Sequence, residues 1–320
     1  MTQPPERPRR TRARGAGQRT EPDSVGMVLK NASLAAQFPD LWNLREEVLS
    51  TQDILIQAKA LILCALPYRR IPDRQITKRA QIGKHASVAV AFTALSEAGL
   101  PFGADRALFA WIQTRAFSNG FITFDRLTEF LSAFSLGDDG RNYRLFYERL
   151  ERLKNLSVSI RVETEDEEFL LNTVPVKAAY TPRSGREVKH RLVEEAGAQL
   201  LLIPHRYGFR LDPDFWGYLR ANPVPMPLAL MREFHDEPKA WDFCQFVLYR
   251  CYAARQPSMV PWGMLQEQLA SLDQNHRRLK HTLSQALRRM KVVYPDLPVS
   301  FLPAPGGLAV APWRPPRESA

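Results

Sequence analysis

NHRRLKHTLSQALRRMKV, residues 275–292, repeats apolar side chains at helical spacing. Leu279, Leu283, Ala286, Leu287 and Met290 fall on one stripe. At about 100° per residue the opposite face carries Arg277, Arg278, His281, Ser284, Gln285 and Arg288. Arg277, Arg278, Lys280, Arg288, Arg289 and Lys291 are cationic, and the stretch holds no Asp or Glu. Solvated helix faces ordinarily mix signs, because opposite charges four residues apart attract and like charges repel. A helix of one sign gives up that help, which makes sense where an anion neutralises the face. A soluble helix that merely carries excess base is the competing reading.

The neighbours of this stretch narrow the choice. Tyr294-Pro295 ends the helix, and PVSF (298–301), the turn APGG (304–307) and GLAVAP (307–312) read as two short strands around a tight loop. Upstream, Pro227–His235 and Pro238–Ala253 read as helices, the second with Trp241, Phe243, Cys244, Val247, Leu248 and Cys251 inward. Val260-Pro261-Trp262 is a short strand and Gly263–Ala270 a helix. This is the order of a winged helix-turn-helix, whose second helix of the pair enters the DNA major groove.

An earlier segment repeats the pattern. Leu108, Trp111 and Ile112 belong to an amphipathic helix, with a short strand at 121–123. A helix follows with Leu127, Phe130, Leu131 and Phe134 inward. After the turn Gly137–Gly140, a third helix over 141–155 buries Tyr143, Phe146, Leu150 and Leu153. Strands at 156–162 and 169–173 then flank an acidic tip, Glu165–Glu168, read as the wing of this unit. The expected class is therefore α+β, predominantly helical, with two winged-helix domains in tandem. The expected divisions are a disordered basic arm at 1–24, a helical and basic segment at 25–98, and a first winged helix at 99–181. A connector with a hairpin and short helix follows at 182–221, then a second winged helix at 222–313 and a tail at 314–320. Within the 25–98 segment, 41–66 reads as helical and Ser87–Thr93 as a strand. In the connector, 199–203 and 207–211 read as a hairpin and Pro213–Leu219 as a helix, and the proline-rich NPVPMP (222–227) marks its end.

Composition bounds the partner. A net charge of +10 over 320 residues and a pI near 9.7 point to a polyanion, most often nucleic acid. Six arginines with prolines and glycines in residues 1–24 read as a disordered arm. Three scattered cysteines, Cys64, Cys244 and Cys251, fit a reducing cytoplasm and neither a disulfide framework nor a zinc site. ILIQAKALILCALPY (54–68) is short and broken by Gln57 and Lys59, so no membrane span is expected, nor a secretory signal behind PPERPRR. No catalytic, cofactor or metal site is expected. His276 and His281 do not share a helical face, Gly83-Lys84 lacks the rest of a phosphate loop, and no nucleophile elbow or dinucleotide fingerprint occurs.

Several stretches together resemble the RepA-type plasmid replication initiators. They are LPFGADRALFAWI (100–112), NPVPMPLALMREF (222–234), LYRCY (248–252), VPWGMLQEQL (260–269), ALRRMKVVYPDLPVSF (286–301) and GGLAV (306–310), and the similarity spans roughly 98–312. The resemblance implies a cytoplasmic bacterial protein that binds repeated double-stranded sites at an origin. It further implies help in opening the duplex, recruitment of host replication proteins including the host initiator and the replicative helicase, and dimerisation.

The charge pattern assigns contacts within that scheme. An acidic wing repels phosphate, so the second unit is expected to supply the specific contacts. Arg277, Arg278 and Arg288 suit guanine edges, where a bidentate pair discriminates by about 1–3 kcal/mol, and Gln285 suits adenine. His281 shares the outward face, while Lys280, Arg289 and Lys291 flank it and suit phosphate. Arg141, Arg144 and Arg152 of the first unit are expected on neighbouring backbone or in a dimer contact. A winged-helix transcription regulator and a protein–protein adaptor are the rival readings.

Overall fold

The helix Asp105–Arg115 (α2) lies at the centre of the molecule, buried on all sides from Asp105 to Gln113. The computed structural model describes residues 53–82, 85–181, 207–269, 276–303 and 306–314. The basic arm, the first part (41–52) of the helix expected over 41–66, the charged segment 182–195 and the strand expected at 199–203 fall outside these residues. The chain is α+β, with nine helices and twelve strands among the described residues.

The elements around α2 recur in one order. After α2 come the strand Phe121–Phe124 (β4) and the helices Thr128–Ala133 (α3) and Gly140–Lys154 (α4), and later the strands Val176–Tyr180 (β7) and Tyr207–Leu211 (β8). The three strands form an antiparallel sheet in the order β4-β8-β7. In the second unit, the helix Pro238–Ala253 (α7) is followed by Ser258–Pro261 (β10), Trp262–Leu269 (α8) and His276–Val293 (α9). Val299–Phe301 (β11) and Gly307–Val310 (β12) complete it, in the order β10-β12-β11. Both units thus run helix, strand, helix, helix, strand, strand, with the last strand central.

The strands Leu156–Thr164 (β5) and Glu168–Thr173 (β6) were expected to complete the first unit, and they do not. They are inserted between α4 and β7 and join Gln75–Ile82 (β2) and Ala86–Ala94 (β3) in a four-stranded sheet ordered β2-β3-β5-β6. The acidic tip therefore belongs to this sheet, and in the first unit β7 and β8 take the places that β11 and β12 hold in the second. β8 is paired on both edges, with β4 and with β7.

Part of the helix expected over 41–66 is a strand. Ile54–Ala58 (β1) pairs with Pro223–Pro227 (β9), and among the described residues of that span only Lys59–Leu63 (α1) is helical. The run is buried almost throughout from Leu55 to Tyr68, and periodicity cannot separate helix from strand when every face is covered. The alternating prolines of β9 are tolerated because its hydrogen bonds to β1 fall on the intervening register: Lys59 N–H donates to Asn222 O and Leu228 N–H to Asp53 O. Pro223, Pro225 and Pro227 therefore turn their missing N–H to the free edge. The ribbon caps α2, with Ile56 N–H donating to Thr114 Oγ1 at 2.7 Å and Ala58 N–H to Gln113 Oε1 at 3.0 Å. The helix Pro213–Ala221 (α5) closes the other side, where Trp216 Nε1 donates to Phe117 O. Gly120, at φ +81°, leaves room for that indole, since a Cβ there would sit 3.3 Å from its ring.

One buried polar cluster ties the two units. Arg106 of α2 meets Asp242 of α7 at 3.0 Å, both side chains 2% exposed. Arg106 also donates to Gly103 O and Leu66 O and stacks on Tyr68, over which Lys78 of β2 also lies. Burial pushes the Asp242 carboxyl above its ordinary range, opposed by Arg106 and Lys78, and pushes the Lys78 ammonium down, opposed by Asp242.

Candidate nucleic-acid interface

Helix α9 buries its apolar stripe as expected: Leu279, Leu283, Ala286, Leu287 and Met290 all lie in the core against α7. The outward face then follows from helical geometry. Arg277, Arg278, Lys280, His281 and Arg288 are exposed, and Ser284 and Gln285 half-exposed. Arg277 and Arg288 form no ion pair with any described residue. The first turn carries no acid, so its cations sit at the positive end of the helix dipole, an arrangement that costs free energy without a bound anion. An anion at this end would meet both the side chains and the free N–H groups of the first turn.

Two of the residues expected to flank this face are engaged internally. Arg289 is clamped by Glu233 and Glu237 and stacks on Phe234, 4.4 Å from the ring centre. Burial opposes its charge, and the hydrogen bonds from Glu237 and Glu233 more than offset that, so its pKa is raised. Lys291 is half-buried and its ammonium is pushed below its ordinary value by burial. The clamp on Arg289 was not visible in sequence, because α7, β10 and α8 stand between α9 and its partners Glu233 and Glu237, whose position depends on the fold.

The third helix of the first unit contrasts with α9. Asp139 caps α4 by accepting from Asn142 N–H at 2.8 Å. Arg152, expected at DNA backbone, grips Asp105 of α2 through two hydrogen bonds of 2.6 and 2.9 Å and stacks on Phe102. Arg149 reaches the same carboxylate at 3.7 Å, Arg144 pairs with Glu148, and Lys154 with Glu151. Arg141 alone among the cations of α4 is exposed without an ion pair to any described residue. The same fold position thus mixes signs in the first unit, five cations with two acids on the helix and Asp105 beside it, and is wholly cationic in the second. The argument from an acidic wing no longer separates them, since the tip at 165–168 lies on the four-stranded sheet, where Glu165 pairs with His85 and Glu168 with Arg161.

The turn beside α9 is tight. Leu302 N–H donates to Gly307 O and Gly306 N–H to Pro303 O. A Cβ on Gly307 would lie 2.0 Å from Val260 O, so only glycine lets β12 approach β10. Trp262 packs face to face on Phe301, 5.1 Å between ring centres, and Lys280 lies over the other side of the network, 5.4 Å from the Trp262 ring. Among the described residues no helix is long and apolar enough to cross a membrane.

No protein-family model and no curated protein matches the chain. Among solved structures, it is similar to the crystal structure of selenomethionine derivatives of domains 2 and 3 of RctB, with 13% identity and a TM-score of 0.47 over 71% of this chain and 81% of that one. A second structure of RctB domains 2–3 gives 15% identity and a TM-score of 0.45 over 72% and 82%. A likeness this slight carries no argument about what the present chain binds.

Proposed function

We propose that this protein is a non-enzymatic double-stranded DNA-binding protein, a replication initiator of the RepA type built on two winged-helix units, with the second as its principal reader. The observation that carries the reading is the outward face of α9. Arg277, Arg278, Lys280, His281 and Arg288 project there with no acid on the helix. Arg277 and Arg288 are the groups proposed for guanine edges, Gln285 for adenine, and Lys280 for phosphate. Arg141 is proposed to touch the flanking backbone. Arg152 and Arg289 are left out of the contact set, because both hold the fold together. Origin opening, recruitment of the host initiator and helicase, and dimerisation come from the sequence resemblance.

The test is a titration of the full chain against the DNA flanking its own coding region, with random-sequence duplex as competitor. Preferential binding to repeated sites, followed by replication of a plasmid carrying only that fragment when the protein is supplied, is the expected result. Site-specific binding without replication would reassign the protein to transcriptional regulation. An adaptor is the second reading, favoured by Phe169 and Leu170, which stand exposed on β6, an edge strand of the four-stranded sheet. Binding to no duplex at any salt concentration would move the assignment there.

A further inference from the structure

We propose that Trp262 is the positioning residue of the α9 interface, holding Lys280 and the end of β11 in one DNA-facing surface. This rests on the DNA-binding reading above. Four side chains form a relay from the core to the surface. Phe243 of α7 is fully buried and stacks on Phe301 at 5.8 Å and 14°. Phe301, the last residue of β11 before the turn, stacks on Trp262 at 5.1 Å and 11°. Trp262 is half-exposed at the first position of α8, and the Lys280 ammonium lies 5.4 Å from its ring centre.

Each link fixes a different degree of freedom. Stacking of Phe301 on a core ring fixes where the strand leaves for the turn. Stacking of Trp262 on Phe301 ties the start of α8 to that point. The cation–π contact then selects one direction for the Lys280 side chain, which is otherwise a flexible exposed chain with several rotamers. Held over the ring beside Phe301, the ammonium stays where it meets a phosphate; released from the ring it spends most of its time in rotamers that reach none, so the counterion there is not displaced. The ring face leaves the ammonium's remaining donors turned to solvent, so the contact organises Lys280 without neutralising it, unlike the carboxylates around Arg289. Trp262 itself need touch no nucleotide.

The experiment uses the full-length chain and a random-sequence duplex, with affinity measured across a series of salt concentrations. Each phosphate contact contributes about 0.9 to the slope of log affinity against log salt. Lys280→Ala is expected to lower the slope by about that amount. Trp262→Leu is expected to give most of the same loss and a several-fold weaker affinity, while Trp262→Phe, which keeps a ring face, restores the wild-type slope. The double variant Trp262→Leu, Lys280→Ala should lose no more slope than Lys280→Ala alone. Trp262→Met fills the site flexibly without a ring and serves the same comparison if leucine unfolds the unit. A wild-type slope in folded Trp262→Leu or Trp262→Met, with Lys280→Ala still reduced, overturns the proposal. So does a wild-type slope in Lys280→Ala. A wild-type protein with no salt dependence overturns the DNA-binding reading beneath it, an outcome distinct from the other two.

Discussion

Arginines of the same helix do opposite work, and single substitutions separate them. Arg277→Ala and Arg288→Ala remove exposed cations that touch no described acid, so thermal stability should stay within about 0.5 kcal/mol of wild type. Discrimination between preferred and random duplex should fall by about 1–3 kcal/mol, read in competition titrations. Unchanged site preference in both variants would exclude them as readers. Arg289→Ala should do the reverse. It strands Glu233 and Glu237 and uncovers Phe234, so urea melts should show a loss of about 1–3 kcal/mol with the salt slope of binding unchanged. Sequence alone placed all three arginines on one basic helix, because cations at 277, 288 and 289 look alike when their partners are elsewhere in the chain. The partners of Arg289 sit on and just after another helix, and those of Arg152 on α2. Long-range ion pairs of this kind leave no periodic trace.

At the level of elements, the amphipathic stripe of α9 was legible because one face meets the core and the other does not. Every residue of that stripe is buried. The same logic misread β1, whose surroundings cover both faces, and it assigned the β5–β6 hairpin to the nearest helix rather than to β3. Chain proximity favoured the first unit, whereas the register from Ala86↔Thr164 to Ala94↔Leu156 gives β5 a nine-residue partner in β3. Two substitutions test how these elements are held. Gly307→Ala drives a Cβ into Val260 O and should separate β12 from β10, costing about 1–3 kcal/mol or more in a denaturant melt. A variant as stable as wild type would show that the two strands can shift apart freely. Arg152→Met leaves the buried Asp105 carboxylate with only Arg149 at 3.7 Å and the Phe102 N–H, and should destabilise the first unit by about 3 kcal/mol. Retained stability with weakened DNA binding would instead return Arg152 to the interface.

Across the whole molecule, two units of one topology share a single core, pinned by the Arg106–Asp242 pair and the β1–β9 ribbon. Asp242→Ala should leave Arg106 buried without a counter-charge, held by the Gly103 and Leu66 carbonyls, and cost several kcal/mol, roughly 3–5. Replacing both partners, Arg106→Met with Asp242→Leu, should recover much of that loss, since a buried pair often contributes little over well-packed apolar side chains. A double variant less stable than either single one would show that the pair stabilises beyond its packing. The central claim concerns the partner, and it is tested most directly by the salt dependence of duplex binding. On random-sequence duplex, where no preferred guanine is offered and these side chains meet phosphate, Arg277, Arg278, Lys280 and Arg288 predict a slope of log affinity against log salt near −4, about two orders of magnitude between 50 and 200 mM. Arg277→Glu with Arg288→Glu should roughly halve that slope while leaving the melt unchanged. Weak binding that does not respond to salt, or a slope untouched by the two reversals, would contradict the account.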